Sequence, residues 1–173
     1  MKAIVIYKSK TGFAKKYAEW IAEELSADIF DVSKVNIKML EPYDVVIYGG
    51  SLYAVGINGI QWITKNLDKL ENKKVIVFAT GASPARQEVI EEIKNKNFTS
   101  DQQKKIQFFY FRGGFDYSKL KPFDKMLMTI LKWRLKTKKE LTPDENGMLA
   151  IYNKPTDFTC KKNIEEMIRY IDL

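Results

Sequence analysis

Two periods alternate along the chain, short continuous apolar runs and longer stripes of apolar residues three and four apart. Ala3-Ile4-Val5-Ile6-Tyr7 is a run of the first kind, the pattern of a strand covered on both faces. A helix is predicted next, from about Gly12 to Leu25, with Ala14, Ala18, Ile21 and Leu25 on one face. Asp28-Ile29-Phe30-Asp31-Val32 is a weaker strand and Asp44-Val45-Val46-Ile47-Tyr48-Gly49 a third. Ile60, Ile63, Leu67 and Leu70 have helical spacing, and Lys74-Val75-Ile76-Val77-Phe78-Ala79 is a fourth strand. Ser83-Pro84 predicts a helix start, because serine caps and proline at the first helical position gives up an amide that had no partner. Lys105-Ile106-Gln107-Phe108-Phe109-Tyr110-Phe111 is the fifth strand. Two further helices are expected, about Pro122 to Thr137 and about Asp157 to Ile171, the last striped by Ile164, Met167, Ile168 and Ile171. Glu140 to Pro155 carries the turn signals Thr142-Pro143-Asp144 and Asn146-Gly147 and reads as a long ordered loop.

Five strands, each followed by a crossover, imply an α/β fold with a parallel sheet and right-handed connections. No internal repeat or low-complexity linker interrupts the 173 residues, so a single domain over 1–173 is expected. Apolar residues make up 45% of the chain, which excludes a disordered class. No apolar stretch reaches the ~20 residues of a membrane-spanning helix. The amino terminus opens directly into the first strand with no signal-peptide pattern, so the expected location is the cytoplasm.

Absences narrow the chemistry. There is no histidine, and Cys160 is the one cysteine. Cys/His metal sites, histidine general-base chemistry and Ser-His-Asp triads are thereby removed. No metal site and no catalytic side chain is assigned, and redox or transfer chemistry would have to come from a bound cofactor.

The net charge of +7 is concentrated. Lys119, Lys121, Lys125, Lys132, Arg134, Lys136, Lys138 and Lys139 lie in one segment with a single acid, Asp124, and the rest of the chain is balanced.

In an open parallel sheet, ligands sit beyond the carboxyl ends of the strands. Four loops at that edge carry the candidate chemistry. The first is Ser9-Lys10-Thr11-Gly12-Phe13-Ala14. A helix amino terminus offers unpaired amides and a positive dipole end, and Ser9 and Thr11 add hydroxyls, so the loop suits a phosphate. It has neither Walker spacing nor Gly-x-Gly-x-x-Gly, and an ordinary capped turn is the other reading. The second is Ser51-Leu52-Tyr53-Ala54-Val55-Gly56 after Gly49-Gly50, where glycines allow close approach and an aromatic could lie against a planar ring. The third is Thr80-Gly81-Ala82-Ser83 and the fourth Arg112-Gly113-Gly114-Phe115-Asp116-Tyr117. Each alone is also readable as a tight turn or plain packing; together they mark one edge of one sheet.

On these residues the chain resembles flavodoxin-type proteins over essentially its whole length. The resemblance implies a three-layer sandwich whose five-stranded parallel sheet has the order 2-1-3-4-5, with helices on both faces. It also implies an FMN cofactor. Ser9, Lys10, Thr11, Gly12, Phe13 and Ala14 would hold the phosphate, Ser51, Leu52, Tyr53, Ala54 and Gly56 one side of the ring, and Thr80, Gly81, Ala82 and Ser83 the other, with Gly113, Gly114 and Phe115 nearby. The usual family loop ends in threonine where this chain has Ala14, a departure expected to weaken FMN by on the order of 1 kcal/mol.

Small electron-carrying flavodoxins are usually acidic, and this chain is basic. It is more similar to the flavodoxin-like group that includes the quinone-dependent protoporphyrinogen dehydrogenases. The matching features are Arg112-Gly113-Gly114, the aromatic segment after it, the helix Phe123-Asp124-Lys125-Met126-Leu127-Met128 and the long stretch before the last helix. That resemblance implies an oxidoreductase in which flavin accepts hydride or electrons from a porphyrinogen-like molecule and passes them to a quinone. Arg112 is then a candidate for a substrate propionate, with Tyr117 and Trp133 as further substrate or partner contacts. The alternative is an electron carrier between protein partners.

At 100° per residue, Phe123, Met126, Leu127, Met128, Ile130, Leu131, Trp133 and Leu135 cover an arc of roughly 220°. A helix on a sheet face needs ~100° or somewhat more. The surplus could meet a second subunit, a quinone or the membrane interface, placing the protein on the inner face of the membrane through 119–139. A more deeply buried helix with a basic carboxyl end to suit its dipole is the other reading. Nucleic acid is not an expected partner, because the aromatics lie on the apolar side and form no base-stacking surface.

Overall fold

β-branched and aromatic residues dominate five strands, and these pair side by side in one sheet: β1 Ala3–Lys8, β2 Asp28–Asp31, β3 Val45–Tyr53, β4 Lys74–Gly81 and β5 Ile106–Arg112. The computed structural model describes residues 1–53, 55–152 and 154–172, and of Asp144 and Ile151 the backbone alone. The pairings are all parallel, in the order β2-β1-β3-β4-β5 expected from the sequence. A sixth, two-residue strand, Gly56–Ile57, folds back antiparallel on the end of β3.

Alternation within the strands splits the core in two. Ile4, Ile6, Val46, Tyr48, Val75, Val77, Phe108 and Tyr110 face one side, where Ile60, Ile63, Leu67, Leu70, Ile93 and Phe98 cover them. Val5, Val45, Ile47, Ile76, Phe78, Phe109 and Phe111 face the other. There α1 (Phe13–Leu25) supplies Ala14, Tyr17, Ala18 and Ile21, and the carboxyl-terminal segment supplies Ile164, Met167 and Ile171. The result is three layers with helices on both faces.

Several local expectations are corrected. The stripe from Ile60 to Leu70 is a single turn, α2 (Gln61–Thr64), followed by a 3₁₀ turn at Leu67–Leu70. The Asn66 side chain donates to the Trp62 carbonyl at 2.8 Å and so competes with the helical ladder. Ser83-Pro84 does not start a helix. Tyr110 holds the Ser83 carbonyl at 2.8 Å, and α3 begins only at Gln87, running to Asn97. A short helix α4 (Ser100–Lys105) precedes β5, closed by a Thr99–Gln102 capping box.

The helix expected at Pro122 is present as α5 (Pro122–Lys136). The stretch expected to be a loop between 140 and 155 contains α6 (Pro143–Ile151). Its Thr142-Pro143 is not a turn but a helix start, with Thr142 and Glu145 in a capping box and proline at the first position. The last helix is shorter than its stripe. Asp157 sits instead in a small ribbon, Thr156–Asp157 against Gly114–Phe115, followed by a 3₁₀ turn at Lys161–Ile164 and α7 (Glu165–Asp172).

Gly49 and Gly50 are there for packing. A Cβ on Gly49 would come within 2.0 Å of the Phe78 ring, and one on Gly50 within 2.5 Å of Ile57, so these glycines seat side chains of the core and not a ligand.

Candidate functional site

The four loops meet at the carboxyl edge of the sheet around a cavity of about 550 Å³, within the usual size of small-molecule sites.

The first loop leaves β1 at Lys8 and enters α1 through Gly12, whose φ of +97° favours glycine. The Gly12 amide donates to Ser9 Oγ at 3.1 Å, which closes the turn. The first helical bond runs from Lys16 N–H to the Gly12 carbonyl. No side chain caps α1 and no acid lies in its first turn, so the amides of Phe13, Ala14 and Lys15 stand at an uncompensated positive helix end.

At the end of β3, Ser51 lies beside Thr80 of β4, and both are buried. Ser51 Oγ has no hydrogen-bond partner, alone in this among buried side-chain polar atoms of the described residues. Beyond it the β3 hairpin is anchored from below by Asn97 on α3. This amide accepts from Ile57 N–H at 2.8 Å and donates to the Val55 carbonyl at 2.7 Å. Tyr53 at the hairpin tip is 42% exposed, with Lys10 Nζ 4.2 Å above its ring.

The third loop is strapped to β5 by three bonds. Gly113 N–H donates to the Gly81 carbonyl at 2.7 Å, Arg112 Nε to Ala82 at 3.2 Å and Tyr110 Oη to Ser83 at 2.8 Å. Burial pushes the Tyr110 phenol up to about 12, so it stays a proton donor at neutral pH.

A roof closes the cavity. Leu127, Met128 and Leu131 of α5 line it, with Met148 of α6 and Leu120. α5 and α6 are clasped by Tyr152, whose hydroxyl donates to the Met128 carbonyl at 2.9 Å and whose ring packs on Phe115 and Tyr117. Tyr117 in turn bonds Thr129 Oγ1 at 2.7 Å. The roof is joined to the first loop by one ion pair. Lys10 Nζ sits 3.1 Å from both oxygens of Asp124, a carboxylate only 8% exposed. The 3₁₀ turn that leads into α5 is capped by Asp116; the Ser118 hydroxyl and amide hold its carboxyl below the usual range.

Of the residues expected from the sequence, Lys10, Thr11 and Phe13, Ser51, Leu52 and Tyr53, Thr80 to Ser83, and Gly114 with Phe115 line this one cavity. Ala54 lies outside the described residues. The others are near it in different roles. Ser9 borders a separate open groove with Lys8, Lys65 and Lys121. Gly12 and Gly113 shape the backbone, and Gly56 pairs with Tyr53 in the hairpin. Ala14 is fully buried in the core and does not line the cavity.

The expected substrate or partner contacts do not line the cavity. Arg112 stacks on the Phe158 ring at 3.7 Å and faces a different depression. Tyr117 serves the clasp, and Trp133 stands on the outer face of α5, 70% exposed. The sequence reading missed Asp124, Leu127, Met128, Leu131 and Met148 as lining residues. Two signals point to the four on α5: the surplus apolar arc of that helix, and one acid among eight bases.

The flavodoxin domain family model matches residues 4–142. An uncharacterized protein of Methanocaldococcus jannaschii is 35% identical over 106 residues, 57% of this chain and 69% of that one. Among solved structures, the Trp repressor binding protein of Bacillus subtilis aligns over 82% of this chain and 100% of its own at 15% identity, TM-score 0.49. Megasphaera elsdenii flavodoxin aligns over 62% and 84% at 15% identity, TM-score 0.47. A Lactobacillus acidophilus flavoprotein, solved with FMN, aligns over 64% and 91% at 15% identity, TM-score 0.42. With most of its length matched by the family model and the sheet order found independently, the chain belongs to the flavodoxin domain family.

Proposed function

We propose that this chain binds FMN in the roofed cavity and works as a flavin-dependent redox protein. The observation that carries the proposal is Ser51 Oγ, a buried hydroxyl at the cavity wall with no partner among the described residues. Such a group costs free energy unless a ligand satisfies it. The donor set around it suits FMN: free amides at the start of α1 and the Lys10 ammonium for a phosphate, and Tyr53 and Phe115 for a flat ring. When bound, FMN supplies the hydride and electron chemistry that these side chains lack. The chain's own contribution is to fix the ring between two braced loops and to keep water out with Leu127, Met128 and Leu131.

The finer reading is an oxidoreductase resembling quinone-dependent protoporphyrinogen dehydrogenase. What supports it is the apolar roof, which gives a bulky apolar molecule a surface to lie against beside the cavity. A carrier between protein partners is the second reading, and the exposure of Tyr53 at the rim favours it by leaving one edge reachable from outside.

Titration of the purified protein with FMN tests the first step. Saturable quenching of flavin fluorescence at one equivalent per chain is expected, and no uptake overturns both readings. Protoporphyrinogen with a quinone then separates them: porphyrin fluorescence rising faster than air oxidation supports the enzyme, and no excess rate leaves the carrier.

A further inference from the structure

The outer face of α5 carries an exposed apolar stripe. Phe123, Met126, Ile130 and Trp133 follow 3-4-3 spacing and are 64%, 51%, 54% and 70% exposed. They are four of the six exposed large hydrophobic side chains among the described residues. At 1.5 Å per residue the stripe is roughly 15 Å long. It is distinct from the inner face of the same helix, where Leu127, Met128 and Leu131 roof the cavity.

The charge around the stripe is of one sign. Asp124, the single acid between 119 and 139, is turned inward to Lys10 and buried. Lys119 and Lys138 pair with Asp116 and Glu145, whereas Lys121, Arg134, Lys136 and Lys139 have no ion pair among the described residues. At 100° per residue Arg134 and Lys136 fall on either side of the stripe.

We propose that α5 docks this protein on an anionic membrane surface, with the stripe in the headgroup–acyl boundary and the unpaired cations against lipid phosphates. Charge decides between the occupants. A second copy related by a two-fold axis would bring the same unpaired cations face to face, where they repel. A nucleic acid would meet the bases but leave the apolar stripe uncovered. An anionic bilayer satisfies both features at once. Docked this way, the helix that roofs the cavity is the one that touches lipid. The docking itself needs no flavin, so it stands or fails separately from the FMN reading.

The test is co-sedimentation of the full chain, flavin-free and FMN-loaded, with phosphatidylcholine vesicles with or without phosphatidylglycerol. Binding to the anionic vesicles at low salt, in both flavin states, is expected, together with a blue shift of the Trp133 emission, obtained as wild type minus Trp133→Phe. Replacing Arg134, Lys136 and Lys139 by Gln should weaken binding by roughly tenfold or more, as each basic residue near the surface contributes separately. Ile130→Ser with Trp133→Ser should abolish it, whereas Ile130→Leu with Trp133→Phe should retain it; unchanged far-UV circular dichroism shows that each variant is folded. Equal binding to neutral and anionic vesicles, or serine variants that bind like wild type, overturns the proposal. So does a lipid-free dimer that those serine substitutions dissociate, which would assign the stripe to a second copy.

Discussion

Ser51→Ala separates a ligand-binding hydroxyl from a structural one, because the two predict opposite signs. Ser51 is buried at the end of β3 beside Thr80 of β4, and its oxygen meets no donor or acceptor among the described residues. An unsatisfied buried polar group costs about 1–3 kcal/mol. In the flavin-free protein, removing it should leave stability unchanged or raise it by up to about 2 kcal/mol, since the gain is offset by the small void left behind. With FMN bound the same hydroxyl has a partner, and a neutral hydrogen bond is worth about 0.5–1.5 kcal/mol net. Affinity should therefore fall roughly two- to twelvefold in Kd. Urea unfolding of the flavin-free proteins gives the first quantity and fluorescence titration with FMN the second. A variant that is clearly less stable without flavin, and binds FMN as tightly as wild type, refutes the reasoning.

Four further outcomes are expected. Asp124→Asn frees Lys10 beside the first loop and removes a negative charge, so FMN should bind more tightly by on the order of 1 kcal/mol while riboflavin is unaffected; equal responses of the two ligands would place the effect elsewhere than the phosphate. Ala14→Thr, which restores the usual family residue, should destabilise the protein by about 1–3 kcal/mol without improving FMN binding, because the site is fully buried in the core; thermal melts and titration check both parts. Tyr17 Oη donates to the Arg112 carbonyl and accepts from Cys160 N–H and Asn163 Nδ2, so Tyr17→Phe should cost about 1–3 kcal/mol in urea unfolding. Asp116 has its carboxyl held low by Ser118, so its contribution is complete above the ordinary aspartate value of about 3.9 and is lost as pH falls below it; hydrogen exchange should show the 117–136 segment opening in acid earlier than in Asp116→Asn compared with its own neutral-pH state, whose protection should be flat over that range.

The sheet was legible because its strands are buried on both faces and read as unbroken apolar runs. β2 was the weak one, and it is also the edge strand with polar ends, Asp28 and Asp31. Helix boundaries were less legible wherever a side chain competes with the backbone. Asn66 breaks the 60–70 stripe in a way that periodicity does not register. Thr142-Pro143-Asp144 carries the letters of both a turn and a helix start, and Glu145 three residues after Thr142 decides for the helix. The cavity's floor was readable loop by loop because each loop follows its own strand. The roof was not, since the approach of α5 to the first loop depends on a pair 114 residues apart in sequence, Lys10 and Asp124.

That pair also changes the meaning of Ala14. Read locally, an alanine where the family has threonine removes one hydroxyl from the phosphate loop. In the folded chain the Ala14 position belongs to the core beneath α1, and the first loop carries a cation that reaches over Tyr53 instead. A hydrogen bond to a charged group is worth about 1.5–3 kcal/mol, against about 0.5–1.5 for a neutral hydroxyl, so Lys10 can offset the missing threonine. It does so only to the extent that it leaves Asp124, and Asp124, 8% exposed, resists losing its partner. Phosphate affinity and the closure of the roof therefore draw on the same ammonium group. A phosphate that claims Lys10 loosens the bond that holds α5 down, and a roof held firmly by Asp124 weakens the phosphate end of the site.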